Sequence, residues 1–184
     1  RYGNAWHMVA FSVFGASLIL LYAASAVYHA VPRTSPLKKT FQRIDLSFIF
    51  ILIAGSYTPL ALVALKGAWG WTVFGLSWAI AVAGILLHSF KFRLRTGPAV
   101  FLYLFMGWLL LPFLPRLVGS MPLSGLVWLV AGGLFYTIGV IFFALGRKIK
   151  LHPWFGMHEI FHLLVMAGSF CHFWLMYRYV VFIA

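Results

Sequence analysis

Acidic side chains are almost absent from this 184-residue sequence, which has only Asp45 and Glu159 against fourteen lysines and arginines. Charged residues make up 9% of the chain, whereas soluble domains carry about a quarter. A soluble globular fold is therefore excluded. The single cysteine, Cys171, excludes an internal disulfide and a structural zinc site built from paired thiolates.

Hydrophobic residues, in contrast, make up 64% of the chain, and the mean hydropathy is +0.99. At about 20 residues for each membrane span, this length predicts about six helices. We expect an all-α polytopic transmembrane bundle, a single integral membrane domain over residues 1–184. The spans are expected at about 6–31, 44–65, 69–90, 97–115, 121–146 and 154–183, the fourth ending early at Pro112 and Pro115.

The basic residues divide unequally when successive loops are assigned to alternate sides of the membrane. Ten fall on one side, within residues 33–43, 91–95 and 147–150, and four on the other, Arg1, Lys66, Arg116 and Arg178. The positive-inside rule makes the ten-residue side cytoplasmic. This predicts an inner (plasma) membrane protein with both ends of the chain outward, and it explains the net charge of +12 without a nucleic-acid partner.

The pentapeptide H-E-I-F-H places His158 and His162 four residues apart in the last span. On a helix such a pair shares one face with a rise of about 6 Å, which suits two ligands of one metal ion. Counting rise brings His29, near the cytoplasmic end of the first span, to the same depth. Three imidazoles leave a fourth position open, as in catalytic zinc sites, so we predict a zinc centre near the cytoplasmic face.

Two interpretations remain open for each of three polar residues near these histidines. Asp45 either orients a ligand or the metal-bound water, or it pairs with Arg43 or stabilises the start of its own helix. Ser25 either polarises a substrate or hydrogen-bonds to its own helix. Glu159 completes an H-E-x-x-H motif, in which it would be the general base of a protease, or it pairs with a loop lysine or arginine.

The other histidines are sorted by depth. His7 and His172 lie about 33 Å and 15 Å along their helices from the proposed ligands, so neither can share the metal. His88 and His152 are near the inner face, where depth does not exclude them. His152 precedes Pro153 in a loop, where we expect it to cap a helix or meet solvent.

Motifs in three spans resemble the bacterial hemolysin III proteins, which belong with the progestin and adipoQ receptors, including the adiponectin receptors. They are S-A-V-Y-H at 25–29, D-L-S-F-I-F-I-L-I-A-G-S-Y-T-P at 45–59, and H-E-I-F-H at 158–162 with A-G-S-F-C-H at 167–172. The resemblance implies zinc bound by His29, His158 and His162, with Ser25 and Asp45 beside it.

The resemblance also implies a seven-span fold whose first helix carries E-x-x-N-x-x-x-H. Glu159 is the chain's sole glutamate, so that motif is not in this sequence, and we expect the first family helix to be missing from it.

The resemblance implies a zinc-dependent lipid-amide hydrolase. We expect membrane lipids as its partners, including a ceramide-like lipid or a free fatty acid. The alternatives are a non-enzymatic receptor-like or membrane-lytic protein with structural zinc, and an H-E-x-x-H intramembrane metalloprotease. No span carries the polar stripe that would line an aqueous pore.

Overall fold

The structure is a computed structural model that describes residues 3–89, 96–145 and 155–183. Over these residues the chain is helical without β-strands, and six helices are long and apolar enough to cross a membrane. The expected all-α polytopic architecture with six spans is therefore confirmed. The assignment of residues 1–184 to one domain stays a prediction.

The first two helices form the most closely packed pair at the amino-terminal half. Helix α1 spans Ala5–Ala30 and is capped by the Asn4 side chain, which accepts a hydrogen bond from the His7 backbone N–H. Helix α2 spans Lys38–Pro59 and continues as a π-helix over Leu60–Leu65. It starts earlier than residue 44, and the Lys38 ammonium at its start donates hydrogen bonds to the Tyr28 and Val31 carbonyls at the end of α1.

Proline interrupts the middle of the chain as the sequence indicates. Helix α3 spans Gly67–Ser89, and α4 spans Thr96–Gly107. A 3-10 turn over Leu111–Phe113 and the short α5, Leu114–Val118, complete the fourth span, with Pro112 and Pro115 at their first turns. The Tyr57 hydroxyl lies 2.6 Å from the carbonyl oxygens at the end of α4, and so partners groups that the broken helix leaves free.

Glycines allow the last two spans to pack closely against each other. Helix α6 spans Leu123–Leu145, α7 spans Met157–Arg178, and a 3-10 turn follows over Val180–Phe182. An added Cβ at Gly132 would lie 3.2 Å from the Gly168 carbonyl oxygen, and one at Gly168 would lie 3.1 Å from the Gly132 carbonyl oxygen. The two backbones therefore approach as closely as small residues permit.

Helix α2 lies at the centre of the bundle. It packs against α1 on one side and α3 on the other, and it also contacts α4. It is the most buried of the six candidate spans, with Phe50, Ala54 and Thr58 at 0%, 0% and 1% exposure. Asp45 lies near the start of this helix, where its side chain is half-buried.

Candidate metal centre

Three histidines from two distant helices meet at one end of the bundle. His29 is the penultimate residue of α1, whereas His158 and His162 lie in the first two turns of α7. Each offers a ring nitrogen such that the three atoms lie within 4.8 Å of one another. The Nε2 atoms of His158 and His162 are 3.1 Å apart, and the His29 ring centroid lies 5.3 and 5.0 Å from those of His158 and His162.

This donor set fits a metal ion. Zinc–nitrogen bonds of about 2.0–2.1 Å in a tetrahedron separate the ligand atoms by about 3.3 Å, close to the 3.1 Å between the two Nε2 atoms on α7. Three nitrogens leave the fourth corner of a tetrahedron for water or substrate. The expectation that His29 meets the pair on α7 is therefore supported by the geometry, whereas the identity of the metal stays a prediction.

Asp45 and Ser25 lie beside this histidine cluster. The Asp45 carboxylate interacts with the Ser25 hydroxyl and is close enough to His29 for a direct electrostatic interaction. Both side chains are half-buried. Asp45 lies in the third turn of α2, so it is too far from the helix start to stabilise the free N–H groups of the first turn. The interaction with His29 supports the interpretation in which Asp45 orients a metal ligand, and its role stays a prediction.

The histidine cluster opens on an apolar cavity of about 290 Å³ inside the bundle. Asp45 and all three histidines line it, and the lining continues through Ile53, Leu110 and Val165 to His172. His172 is ten residues beyond His162 on the same helix, so the cavity extends about 15 Å from the histidine cluster into the bundle. Sequence patterns did not reveal this cavity, because every helix is apolar on nearly all faces.

The remaining candidate residues separate from the cluster. Glu159 is exposed, and its Oε2 accepts a hydrogen bond from the Gly156 N–H at 2.7 Å, so it caps the start of α7. The expectation that it pairs with a loop lysine or arginine stays a prediction, because Arg147, Lys148 and Lys150 lie outside the described residues. His7 binds Asn4 and the Ile183 carbonyl, and His172 packs against Gly132. His152 lies outside the described residues.

His88 is one of the two histidines that depth in the membrane did not exclude as ligands, the other being His152. It lines the same cavity but is not among the three residues that could hold a metal. Its depth along the helix axis could not exclude it as a metal ligand, because depth does not give the direction in which a side chain points around the axis.

Comparison with known proteins agrees with these observations. The family model described as "Haemolysin-III related" matches residues 1–173. The chain belongs to the haemolysin-III-related family. Members with which it aligns include the "Hemolysin-3 homolog" of Bacillus subtilis (strain 168), 37% identical over 98% of this chain and 82% of that protein.

Two further relatives show how widely this likeness extends. The "Hemolysin-3" of Bacillus cereus is 36% identical over 98% of this chain and 80% of its own length. The human "Monocyte to macrophage differentiation factor" is 28% identical over 96% of this chain and 72% of its own length. The resemblance to hemolysin III proteins drawn from the three motifs is therefore confirmed, and this haemolysin-III-related chain is a multi-pass membrane protein.

Proposed function

We propose that this chain is a zinc-dependent hydrolase of lipid amides of the ceramide type. The observation that carries the proposal is the placement of three imidazoles and one carboxylate at the end of an apolar cavity within a membrane bundle. Such a cavity accepts a lipid chain, and the polar cluster meets it where the reactive group would lie.

Zinc is the metal that we assign to His29, His158 and His162. Imidazole ligands suit zinc, copper, iron and nickel, and three such ligands with an open corner are typical of catalytic zinc. When bound, zinc would polarise the substrate carbonyl as a Lewis acid and lower the pKa of a water molecule to about 7. Ring contacts among the three histidines fix their relative orientation, with centroids 4.5 Å apart for the pair on α7.

Asp45 is assigned the role of general base. Its carboxylate orients the attacking water and accepts its proton, while the Ser25 hydroxyl, which interacts with Asp45, helps to polarise the amide carbonyl. The water oxygen forms the new bond to the carbonyl carbon, the C–N bond breaks, and the leaving amine takes the proton held by Asp45. A fatty acid and an amine are the products.

We place the site at the cytoplasmic face of the inner membrane. His29 is the penultimate residue of α1, just before the basic residues Arg33, Lys38 and Lys39, and His158 lies in the first turn of α7 at the same end of the bundle. The positive-inside rule assigns that end to the cytoplasm. A lipid of the cytoplasmic leaflet would then reach the site with its polar part at the membrane surface and its chain in the cavity.

Replacement of Asp45 by Asn tests the assigned chemistry. Asn keeps the size of the side chain but cannot accept a proton at neutral pH, so hydrolysis should fall about 10²–10⁴-fold. The zinc content of the purified protein should stay at the parent value. Hydrolysis is followed as fatty-acid release from a fluorescent ceramide, with Glu159→Gln as the control because Glu159 lies outside the cavity. Full activity in Asp45→Asn would remove the assigned role.

A second candidate function is a zinc clamp without catalysis. It is favoured by contacts that join α1 to α7, and to the residues that follow α7, at three levels. These are the His29 contacts with the histidine pair at one end, a 2.7 Å hydrogen bond from Tyr22 to Ser169 in the middle, and the His7 contact with the Ile183 carbonyl at the other end. A clamp predicts lower thermal stability on zinc removal, with no turnover of any lipid amide by the zinc-loaded parent.

A further inference from the structure

The candidate metal ligand His29 lies in the last turn of α1, as the penultimate residue of that helix. It is the exposed member of the three histidines, whereas His158 and His162 are half-buried. The last four carbonyl groups of a helix have no N–H partner within it, so the final turn needs partners from elsewhere. A metal site holds its ligands to within about 0.5 Å. A ligand at this position therefore needs support from outside its own helix.

The residues after His29 remove one of the donors that α1 would otherwise use. The Tyr28 carbonyl would normally accept a hydrogen bond from the N–H group four positions later. That position is Pro32, which has no N–H. The residue before it, Val31, donates to the Val27 carbonyl at 3.0 Å. The Tyr28 carbonyl, next to the metal ligand, is thus left for a donor from another element.

Lys38, the first residue of α2, supplies this donor. Its ammonium donates to the Tyr28 carbonyl and, at 2.8 Å, to the Val31 carbonyl, so the two hydrogen bonds lie on either side of His29 in the sequence. A positive charge at the carboxyl end of a helix is also stabilised by the helix dipole. Lys38 therefore holds the turn of α1 that carries the metal ligand.

A second set of contacts leads from Lys38 to the imidazole itself. The Lys38 Nζ atom lies 4.2 Å from the centroid of the Tyr28 ring, a cation–π contact. The other ring contact of Tyr28 is with His29, at 4.9 Å between centroids and 65° between planes, an edge-to-face arrangement. The Tyr28 ring thus contacts both the ammonium and the metal ligand.

The same face of α2 carries Asp45. It is seven residues after Lys38, which places the two side chains two turns apart on one helix face, about 10.5 Å along the axis. The Asp45 carboxylate interacts with Ser25 and His29, which are one turn apart on α1. Lys38 and Asp45 together therefore set the register of α2 against the last two turns of α1.

We propose that Lys38 is a positioning residue for the metal centre. By binding the carbonyl groups on either side of His29 and the ring of Tyr28, it holds the His29 imidazole within reach of the histidine pair on α7. This inference rests on the part of the proposed function that assigns zinc to the three histidines, and it does not need hydrolysis. Loss of a group that orients a metal ligand lowers metal affinity about 10–100-fold. Because Lys38 acts through the backbone and a neighbouring ring, we expect the lower end of that range.

The test compares the zinc affinity of three variants of the purified protein with that of the parent. Lys38→Met keeps the apolar stem without the ammonium, Lys38→Arg keeps a positive charge and its donors, and Lys39→Met removes the exposed lysine next to it as the matched control. The zinc Kd, measured by competition with a chelating dye, should rise about tenfold in Lys38→Met. It should stay near the parent value in Lys38→Arg and in Lys39→Met.

Two further measurements separate positioning from a general loss of stability. Co²⁺ accepts the same imidazole ligands, and the visible spectrum of the Co²⁺-loaded protein reports the ligand geometry. This spectrum should change in Lys38→Met and stay as in the parent in Lys39→Met. The melting temperature of the metal-free protein reports the fold alone. If Lys38→Met does not fold, Tyr28→Leu, which keeps the carbonyl but removes the ring, should raise the zinc Kd, whereas Tyr28→Phe should not.

The outcomes distinguish this inference from the proposed hydrolysis. If the parent binds one zinc ion with an affinity that depends on Lys38 but hydrolyses no lipid amide, the positioning role stands and the hydrolase fails. A lower metal-free melting temperature in Lys38→Met with an unchanged zinc Kd and Co²⁺ spectrum would overturn the inference. An equal rise of the Kd in Lys39→Met, or no metal binding by the parent, would overturn it as well.

Discussion

Replacing Gly132 with Ala should destabilise the contact that places the histidine pair of α7. The new methyl group would lie 2.3 Å from Cδ2 and 2.5 Å from Nε2 of His172, and 3.2 Å from the Gly168 carbonyl oxygen. At such distances the imidazole or the helix must move. At the adjacent Gly133 the nearest atom, on the Trp108 ring, is 3.6 Å away, which is an ordinary van der Waals distance. Gly133→Ala is therefore a matched control in the same helix.

The expected size of the effect is the difference between the two variants. Both gain about 1 kcal/mol of helix propensity from the loss of glycine, so this contribution cancels. Overpacking costs about 1–3 kcal/mol, which should lower the melting temperature of Gly132→Ala by about 2–12 °C relative to Gly133→Ala, on the scaling for soluble domains of this size. The measurement is thermal unfolding of the purified protein in detergent, followed by tryptophan fluorescence.

A double-mutant cycle identifies the group that the new methyl strikes. Shortening His172 to Ala removes the ring edge, so Gly132→Ala should cost at least about 1 kcal/mol less in the His172→Ala background. Equal melting temperatures for Gly132→Ala and Gly133→Ala would refute the close approach of α6 and α7. Absence of coupling to His172 would show that the imidazole does not lie against Gly132.

Two further substitutions test the contacts around α7. Ser169→Ala removes the hydroxyl that lies 2.7 Å from the Tyr22 hydroxyl and 2.8 Å from that of Tyr136. It should lower the free energy of unfolding by about 1–3 kcal/mol. The double variant with Tyr22→Phe should show strong non-additivity, and simple additivity would contradict this hydrogen-bond network. Because Glu159 acts as a helix cap, Glu159→Gln should leave any lipid hydrolysis at the parent rate and lower the free energy of unfolding by less than about 1 kcal/mol. Loss of all hydrolysis in this variant would instead indicate that Glu159 is a general base.

Much of the architecture follows from the sequence, because the bilayer sets the length and polarity of each span. The fourth span breaks at Pro112 and Pro115 as their missing N–H groups require. The start of α2 at Lys38 was harder to predict, because basic residues read as a loop. In the structure Lys38 is the first residue of α2, and its ammonium donates hydrogen bonds to carbonyl groups at the end of α1.

The sequence predicts how deep in the membrane the site residues lie, but not the direction in which their side chains point around each helix. Counting rise from the ends of the spans brought His29 to the level of His158 and His162, and the structure brings their ring nitrogens together. Direction around a helix axis needs an amphipathic pattern, and helices that are apolar on all sides do not have one. The cavity and the burial of His88 therefore became visible only from the packing of helices against one another.

The central claim is that His29 and the pair on α7 hold one zinc ion, and elemental mass spectrometry of the purified protein tests it most directly. The parent is compared with His29→Ala and His158→Ala, and with His7→Ala as a control, because His7 contacts Asn4 and Ile183 at the other end of α1. The account predicts one zinc per chain in the parent and in His7→Ala, and none in the other two variants. Full zinc in His29→Ala, or none in the parent, would contradict it.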